Sequence, residues 1–365
     1  MCEITKFVPI MKLFTEIHCE KNITIAHSDS VCVLGSCFAD EMGARLEAAG
    51  FDVLRNPFGT LYNPASLAAA MARLDSAEPF TQEDCVEMGA GAGLVCSFSH
   101  HTAFARPTAE EFLAHANARL SEDAARWRDC GVVILTLGTA WVWRALERPG
   151  RPVVANCLKR PAREFAHELL SVEACTELLR SIIEAHPEKR FLLTVSPIRH
   201  LGEGAHANTI SKSTLHLAVE QVLSGPLTVI PGLTRNPFPS GFAPESRSAD
   251  VKPASPVLPD GESSAAAGFV ASNPVPASAG SEDGSRAAGT PGRFTSAVSY
   301  FPAYEILLDE LRDYRFYADD LVHPAPAAVQ LIWERFLDAC TDPADREHIL
   351  AAERASRAAA HRPLR

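Results

Sequence analysis

The sequence predicts an α/β protein on a parallel sheet covered by helices on both faces, and three observations carry that prediction. Apolar runs of strand length alternate with longer segments of helical period. One such segment carries a single apolar stripe between two strand-like runs, as a crossover helix requires. The first run, Val31-Cys32-Val33-Leu34, ends in the glycine turn Gly35-Ser36 and passes into an amphipathic stretch, Asp40 to Ala49.

Taken in order, four strands are expected: Ser30 to Leu34, a short Val53 to Arg55, Val132 to Leu137, and Phe191 to Val195. Between the last two, Val172, Cys175, Leu178, Leu179, Ile182 and Ile183 recur at three and four residues, a helix ending near His186-Pro187. Pro149-Gly150 separates the β-rich arms Val142-Trp143 and Val153-Val154, as a hairpin would. From 225 to 296 the chain turns to Pro, Ala, Ser and Gly without periodicity, Trp or Tyr, too little apolar surface to offset ordering entropy; this insertion is expected to be disordered. Order resumes at Ala297 to Phe301, followed by helical Ile306 to Leu311 and a closing helix from Pro324 through Ala339. The expected organisation is therefore an extension at 1–29, one α/β domain from 30–224 and 297–341, the insertion, and a tail at 342–365. Within that tail a mixed-charge helix, Arg346 to Ala360, would pack on the body or fray.

Composition narrows the function. With 365 residues, 47% hydrophobic and 22% charged, the chain can bury a large core. A net charge of -11 repels phosphate backbones, and no Lys/Arg cluster with interleaved aromatics compensates, so nucleic acid is not an expected partner. No apolar run reaches bilayer-spanning length and the N-terminus lacks a basic start followed by an apolar core, so no membrane partner is expected either. Ten cysteines without a Cys-x-x-Cys pair read as small buried hydrophobes in a reducing compartment, and a cytoplasmic location is expected.

Ser36 stands where a strand ends and a helix begins, so its own N–H and the helix N-terminus can stabilise negative charge beside its hydroxyl. The plainer reading is a helix cap. Far downstream, Asp320-Leu321-Val322-His323-Pro324 places a carboxylate three residues before an imidazole, the orienter and general base a serine nucleophile needs. Pro324 suits a helix's first turn, which leaves His323 in a loop able to reach the C-terminal rim of the sheet. The plainer reading there is a surface turn with a capping Asp. Cys37 is a rival nucleophile expected to face the core, and Asp319 a rival orienter at a less suitable spacing.

At the exit of the fourth strand Ser196, Arg199 and His200 line the rim, with Asn208, Ser211 and Lys212 opening the next helix; together they suggest a polar or anionic acyl acceptor. Equally, Arg199 can pair with Glu203 while Asn208 and Ser211 compete to cap the helix. His100 and His101, adjacent on a strand, would face opposite sides, so no metal is expected. Trp141 and Trp143 share one strand face, a sugar platform or, more simply, packing.

Gly35-Ser36-Cys37-Phe38-Ala39, Asn56 to Thr60, Leu137-Gly138-Thr139-Ala140, Ser196 to His200, Tyr304-Glu305-Ile306, Asp313 to Tyr317 and Asp320 to Pro324 together resemble the GSCFA family. That resemblance implies the SGNH/GDSL-type hydrolase superfamily: a three-layer α/β/α sandwich on a five-stranded parallel sheet, whose members are esterases, lipases, carbohydrate deacetylases and acyltransferases. It implies Ser36, His323 and Asp320 as the catalytic set, with no cofactor, and Gly59 as the next oxyanion donor after the Ser36 amide. The local Asn-Pro would equally favour Gly59 as a simple turn residue. The superfamily's third donor, an asparagine after the third strand, is missing: Leu137 to Trp141 offers Thr139, and Asn156 is the other candidate, unless neither serves. The expected activity is metal-independent hydrolysis of a small-molecule or carbohydrate ester through an acyl-serine. A transferase using the same site, and a non-catalytic carbohydrate-binding or scaffold protein, are the alternatives.

Overall fold

The computed structural model describes residues 15–224 and 298–360. The expected insertion at 225–296, the first fourteen residues of the extension and the last five of the tail lie outside the described residues.

Along the chain run β1 (Ser30–Gly35), α1 (Cys37–Ala48), β2 (Asp52–Arg55), α2 (Pro64–Ser76), β3 (Val86–Glu87), β4 (Val95–Cys96), α3 (Ala109–Asp129) and β5 (Val132–Leu137). There follow β6 (Trp141–Ala145), β7 (Val153–Val154), β8 (Phe165–Leu169), α4 (Val172–Glu184), β9 (Arg190–Val195) and α5 (Ala205–Ser224). Beyond the insertion come β10 (Val298–Tyr300), α6 (Ala303–Glu305) running into a π-helical turn at Ile306–Glu310, α7 (Pro326–Cys340) and α8 (Arg346–Ala360).

Five strands form one sheet in the order β10-β9-β5-β1-β2, every pair parallel. Side chains alternate across it because the strand period is two. Cys32 and Leu34, Val133, Leu135 and Leu137, and Phe191, Leu193 and Val195 face a core closed by α2, α3, α4 and α5. Val31 and Val33, Val132 and Ile134, and Leu192 face a second core closed by α1, α7 and Ile349 of α8. The predicted layered sandwich is thus the observed one. Each fully buried Leu, Ile or Phe in these layers contributes roughly 1.5–3 kcal/mol.

The strand bounds match the expected ones within a residue, with differences elsewhere. The hairpin arms pair as expected, Trp143 opposite Val154, but a third strand, β8, lies along β6. The closing helix starts at Pro326 rather than Pro324, because Ala325 precedes a proline and stays extended while its N–H bonds Phe316 O at 2.8 Å. His100 and His101 sit in a turn and at the start of a 3-10 helix, not on a strand. Helices α2 and α3 lie outside the expected elements, although Leu67, Ala70, Met71 and Leu74, and Phe112, Ala116, Leu120 and Trp127, recur at helical spacing and are buried; α2 also carries a cap, Asn63 Oδ1 accepting from Ser66 N at 2.8 Å with Pro64 in the first turn.

The described part of the extension is fastened to the body: Ile25 N donates to Cys340 O at 2.7 Å and Ile25 O accepts from Asp342 N at 3.1 Å. The tail helix packs rather than frays, with Ile349 fully buried and Glu353 Oε1 taking the Trp333 indole N–H at 2.7 Å.

One buried charge works against this stability. Asp123 of α3 is 1% exposed; Arg119 lies 3.0 Å away, yet neither carboxylate oxygen is hydrogen-bonded. Burial raises its pKa from the ordinary 3.8 to about 6. A carboxyl raised in the folded state makes the fold less stable as pH climbs from about 4 to about 6 and stays ionised above that. Asp123→Asn is therefore expected to gain roughly 1–3 kcal/mol at pH 7, with the gain vanishing near pH 4. Urea midpoints at the two pH values check this; an unchanged midpoint at pH 7 contradicts it.

Candidate active site

The site is assembled from loops at the C-terminal ends of β1, β5 and β9. Gly35 ends β1 at φ +147°, and its N–H donates to Asn56 Oδ1 at 2.9 Å. Asn56 Nδ2 in turn donates to Asp40 Oδ1 at 2.9 Å, so one buried asparagine braces both the turn and the first helical turn of α1. Sequence reading missed this role; the only signal was an Asn-Pro directly after a strand.

Ser36 is the N-cap of α1, its Oγ accepting from Phe38 N at 3.3 Å. The same hydroxyl donates to Ser196 Oγ at 3.0 Å, and both serines are 0% exposed. Because β5 lies between β1 and β9, this serine pair bridges the exit of β5. The Ser36 amide makes a long 3.3 Å bond to Thr136 O. Cys37 packs against the second core as expected, although it is only half-buried, with its Sγ 3.4 Å from Tyr62 Oη.

Asp320 and His323 are brought together, Oδ2 to Nδ1 at 2.6 Å. Asp320 Oδ1 also accepts from Val322 N at 2.9 Å and His323 N at 3.0 Å, while Leu321 between them takes φ +55°. The His323 and Val322 amides, then the imidazole, hold the Asp320 carboxyl down to about 2. The pairing falls to Asp320, not Asp319. This turn is pinned to the β9 exit by Arg199 N donating to Val322 O at 3.2 Å, with Arg199 Nη1 3.5 Å from Leu321 O. The His323 side chain is 46% exposed. It makes no hydrogen bond to Ser36, whose proton goes to Ser196.

The expected oxyanion donors are mostly committed elsewhere. Gly59 N–H closes a turn onto Asn56 O at 2.7 Å. Thr139 Oγ1 lies 2.9 Å from Ser211 Oγ and accepts from Trp141 N at 3.1 Å, while the Gly138 and Thr139 amides both bond Tyr62 O. Asn156 Oδ1 accepts from Leu158 N at 2.7 Å in the loop after β7, with no bond to the exit of β5.

The residues expected to touch substrate divide into two groups. Lys212 is 2% exposed, its Nζ donating to Gly138 O at 2.6 Å and Ser196 O at 2.7 Å, and burial draws its pKa down to about 7. Asn208 Oδ1 takes His200 N at 2.8 Å and Ser211 Oγ takes Ala140 N at 2.7 Å. These α5 residues and Ser196 are interior supports that knit the β5 and β9 exits, because each spends its polar atoms on a loop. Arg199 and His200 are half-buried at the rim. Glu203 lies 3.5 Å from His167 rather than on Arg199. The His200 ring stands edge-on to Tyr62 at 5.5 Å. Burial, then Lys212 and His323, push its pKa down to about 4.

His100 is buried among Phe58, Phe80, Phe104 and Phe112, with Nδ1 2.7 Å from Ser97 Oγ. Among the described residues no group of three His, Cys, Asp or Glu could hold a metal. His167 stacks on Trp143 at 4.0 Å and on Trp141 at 4.7 Å, so the tryptophans share one aromatic ladder beside the rim. No described helix is long and apolar enough to cross a membrane.

Compared with known proteins, the chain matches the model of the GSCFA family over residues 30–229 and 288–336. No curated protein and no solved structure matches it.

Proposed function

Since the chain belongs to the GSCFA family, we propose that it is a serine hydrolase of the SGNH/GDSL type, cleaving an O-acyl or O-acetyl ester through an acyl-Ser36 intermediate. The observation that carries this reading is the Asp320–His323 pair, built at 2.6 Å on a turn bonded to the β9 exit, the same rim that holds Ser36. The carboxylate fixes the tautomer with a proton on Nδ1, which leaves Nε2 to take the Ser36 proton. For that step the Ser36 hydroxyl exchanges its bond with Ser196 for one with His323. Ser36 Oγ attacks the ester carbonyl, the N-terminus of α1 stabilises the oxyanion, and His323 returns the proton to the leaving alcohol. Water, activated by the same imidazole, then releases the acid. The rim's aromatic ladder and Arg199 suit a carbohydrate-linked or otherwise polar ester.

A second reading, a carbohydrate-binding protein without catalysis, is favoured by one fact: Ser36 is sealed and its hydroxyl is committed to Ser196. A fluorophosphonate probe separates the two. Under the hydrolase reading the protein is labelled and the adduct maps to the peptide containing Ser36. An unlabelled protein that retains measurable sugar affinity supports the binder instead.

A further inference from the structure

The committed state of the expected donors leaves a chemical gap, since acyl transfer to Ser36 needs hydrogen bonds aimed at the developing oxyanion. At the same rim one polar atom has the opposite problem: His200 Nε2 is buried and has no hydrogen-bond partner. Buried imidazole nitrogens are normally paired, so an unpaired one at the rim calls for a reason.

The ring is held firmly. Its backbone N–H is taken by Asn208 and its edge by Tyr62. Nε2 lies at the exit of β5, where a Cβ on Gly138 would come within 3.2 Å of it and 3.1 Å of Tyr62 O, so the glycine leaves this corner uncrowded. A chain of contacts runs from that point to the nucleophile. Lys212 joins Gly138 O to Ser196 O, Ser196 Oγ meets Ser36 Oγ, and Tyr62, beside His200, reaches Cys37 next to Ser36. Nδ1 is the ring nitrogen left nearer solvent, free to accept from water, which suits the tautomer protonated on Nε2.

We infer that His200 is a further catalytic residue, a neutral imidazole whose Nε2–H donates a hydrogen bond to the oxyanion in place of the missing asparagine. This rests on the acyl-serine reading above. No covalent bond to His200 forms and no proton leaves it: the donor serves the tetrahedral state and is released when the carbonyl re-forms. The buried, lowered imidazole supports the assignment, because a group that stays uncharged through the working pH range neither competes with His323 as base nor repels it.

The test compares His200→Phe, which keeps a ring of similar size without a donor, with His200→Gln, which restores an N–H donor at similar reach. Turnover of 4-nitrophenyl acetate and the affinity of a trifluoromethyl ketone, which forms an oxyanion on Ser36, are measured alongside thermal unfolding. We expect His200→Phe to lower kcat about 10²-fold and to weaken the ketone in proportion, with KM changed less than about threefold. His200→Gln should recover most of both. A His200→Phe protein with near-wild-type kcat overturns the inference, as does a His200→Gln protein as impaired as the Phe variant, since packing alone would then explain the loss. A wild type that neither turns over the ester nor is labelled by fluorophosphonate sinks the hydrolase reading itself, and this assignment with it.

Discussion

Replacing His323 with alanine is expected to lower kcat/KM on an activated ester by about 10³- to 10⁴-fold while leaving the thermal transition in place. The side chain is 46% exposed, so its removal opens no enclosed cavity. Asp320→Asn is the sharper companion. Its carboxamide oxygen can still accept the Val322 and His323 amides, so the turn survives, but its NH₂ cannot accept the Nδ1 proton and the imidazole is left in the wrong tautomer. A loss close to that of the histidine variant is therefore expected. The acid limb of the wild-type profile should not belong to Asp320. Its folded pKa is depressed from the ordinary 3.8 to about 2, so the folded protein keeps the ionised form down to about pH 2, and the stability it brings erodes as pH falls from about 3.8 through about 2. Activity within tenfold of wild type in either variant, at unchanged circular dichroism, would falsify the assignment.

Gly35→Ala should produce the largest loss of stability. An alanine Cβ would stand 2.3 Å from Thr136 O, and φ +147° is closed to side chains in any case. The obstacle cannot step aside, because Gly35 and Thr136 are register partners in the β1–β5 pair, where both strands are buried. Strain and overpacking together are expected to cost about 3–5 kcal/mol, enough to send much of the protein to the insoluble fraction. A urea midpoint within error of wild type would contradict this.

The parallel sheet was legible because its strands are β-branched runs buried on both faces, and β1, β5 and β9 print that signal directly. The Asp320–His323 contact was legible because the two residues are close in sequence, so their pairing is local chemistry. What periodicity could not give is the set of long-range polar bonds at the rim. Ser36 to Ser196, Lys212 to Gly138 and Asn56 to Gly35 each join positions that only the strand order brings together. The expectation that Lys212 touches substrate failed for the same reason: read as opening a helix that in fact begins at Ala205, it looked solvent-facing, whereas two turns into α5 two carbonyls converge on it. β8 was missed because Phe165-Ala166-His167-Glu168-Leu169 carries a His-Glu pair in a strand edged by solvent.

The family match closes at residue 336, partway along α7. Yet Ile349 is wholly enclosed, Glu353 relieves the Trp333 indole, and Ile25 trades main-chain bonds with the last residue of α7 and with Asp342 just beyond it. The cooperative unit is therefore wider than the stretch its relatives define. Head and tail are stitched into one seam beneath the sheet, and a fragment cut to the family's limits would keep the chemistry's scaffold while losing the stitches.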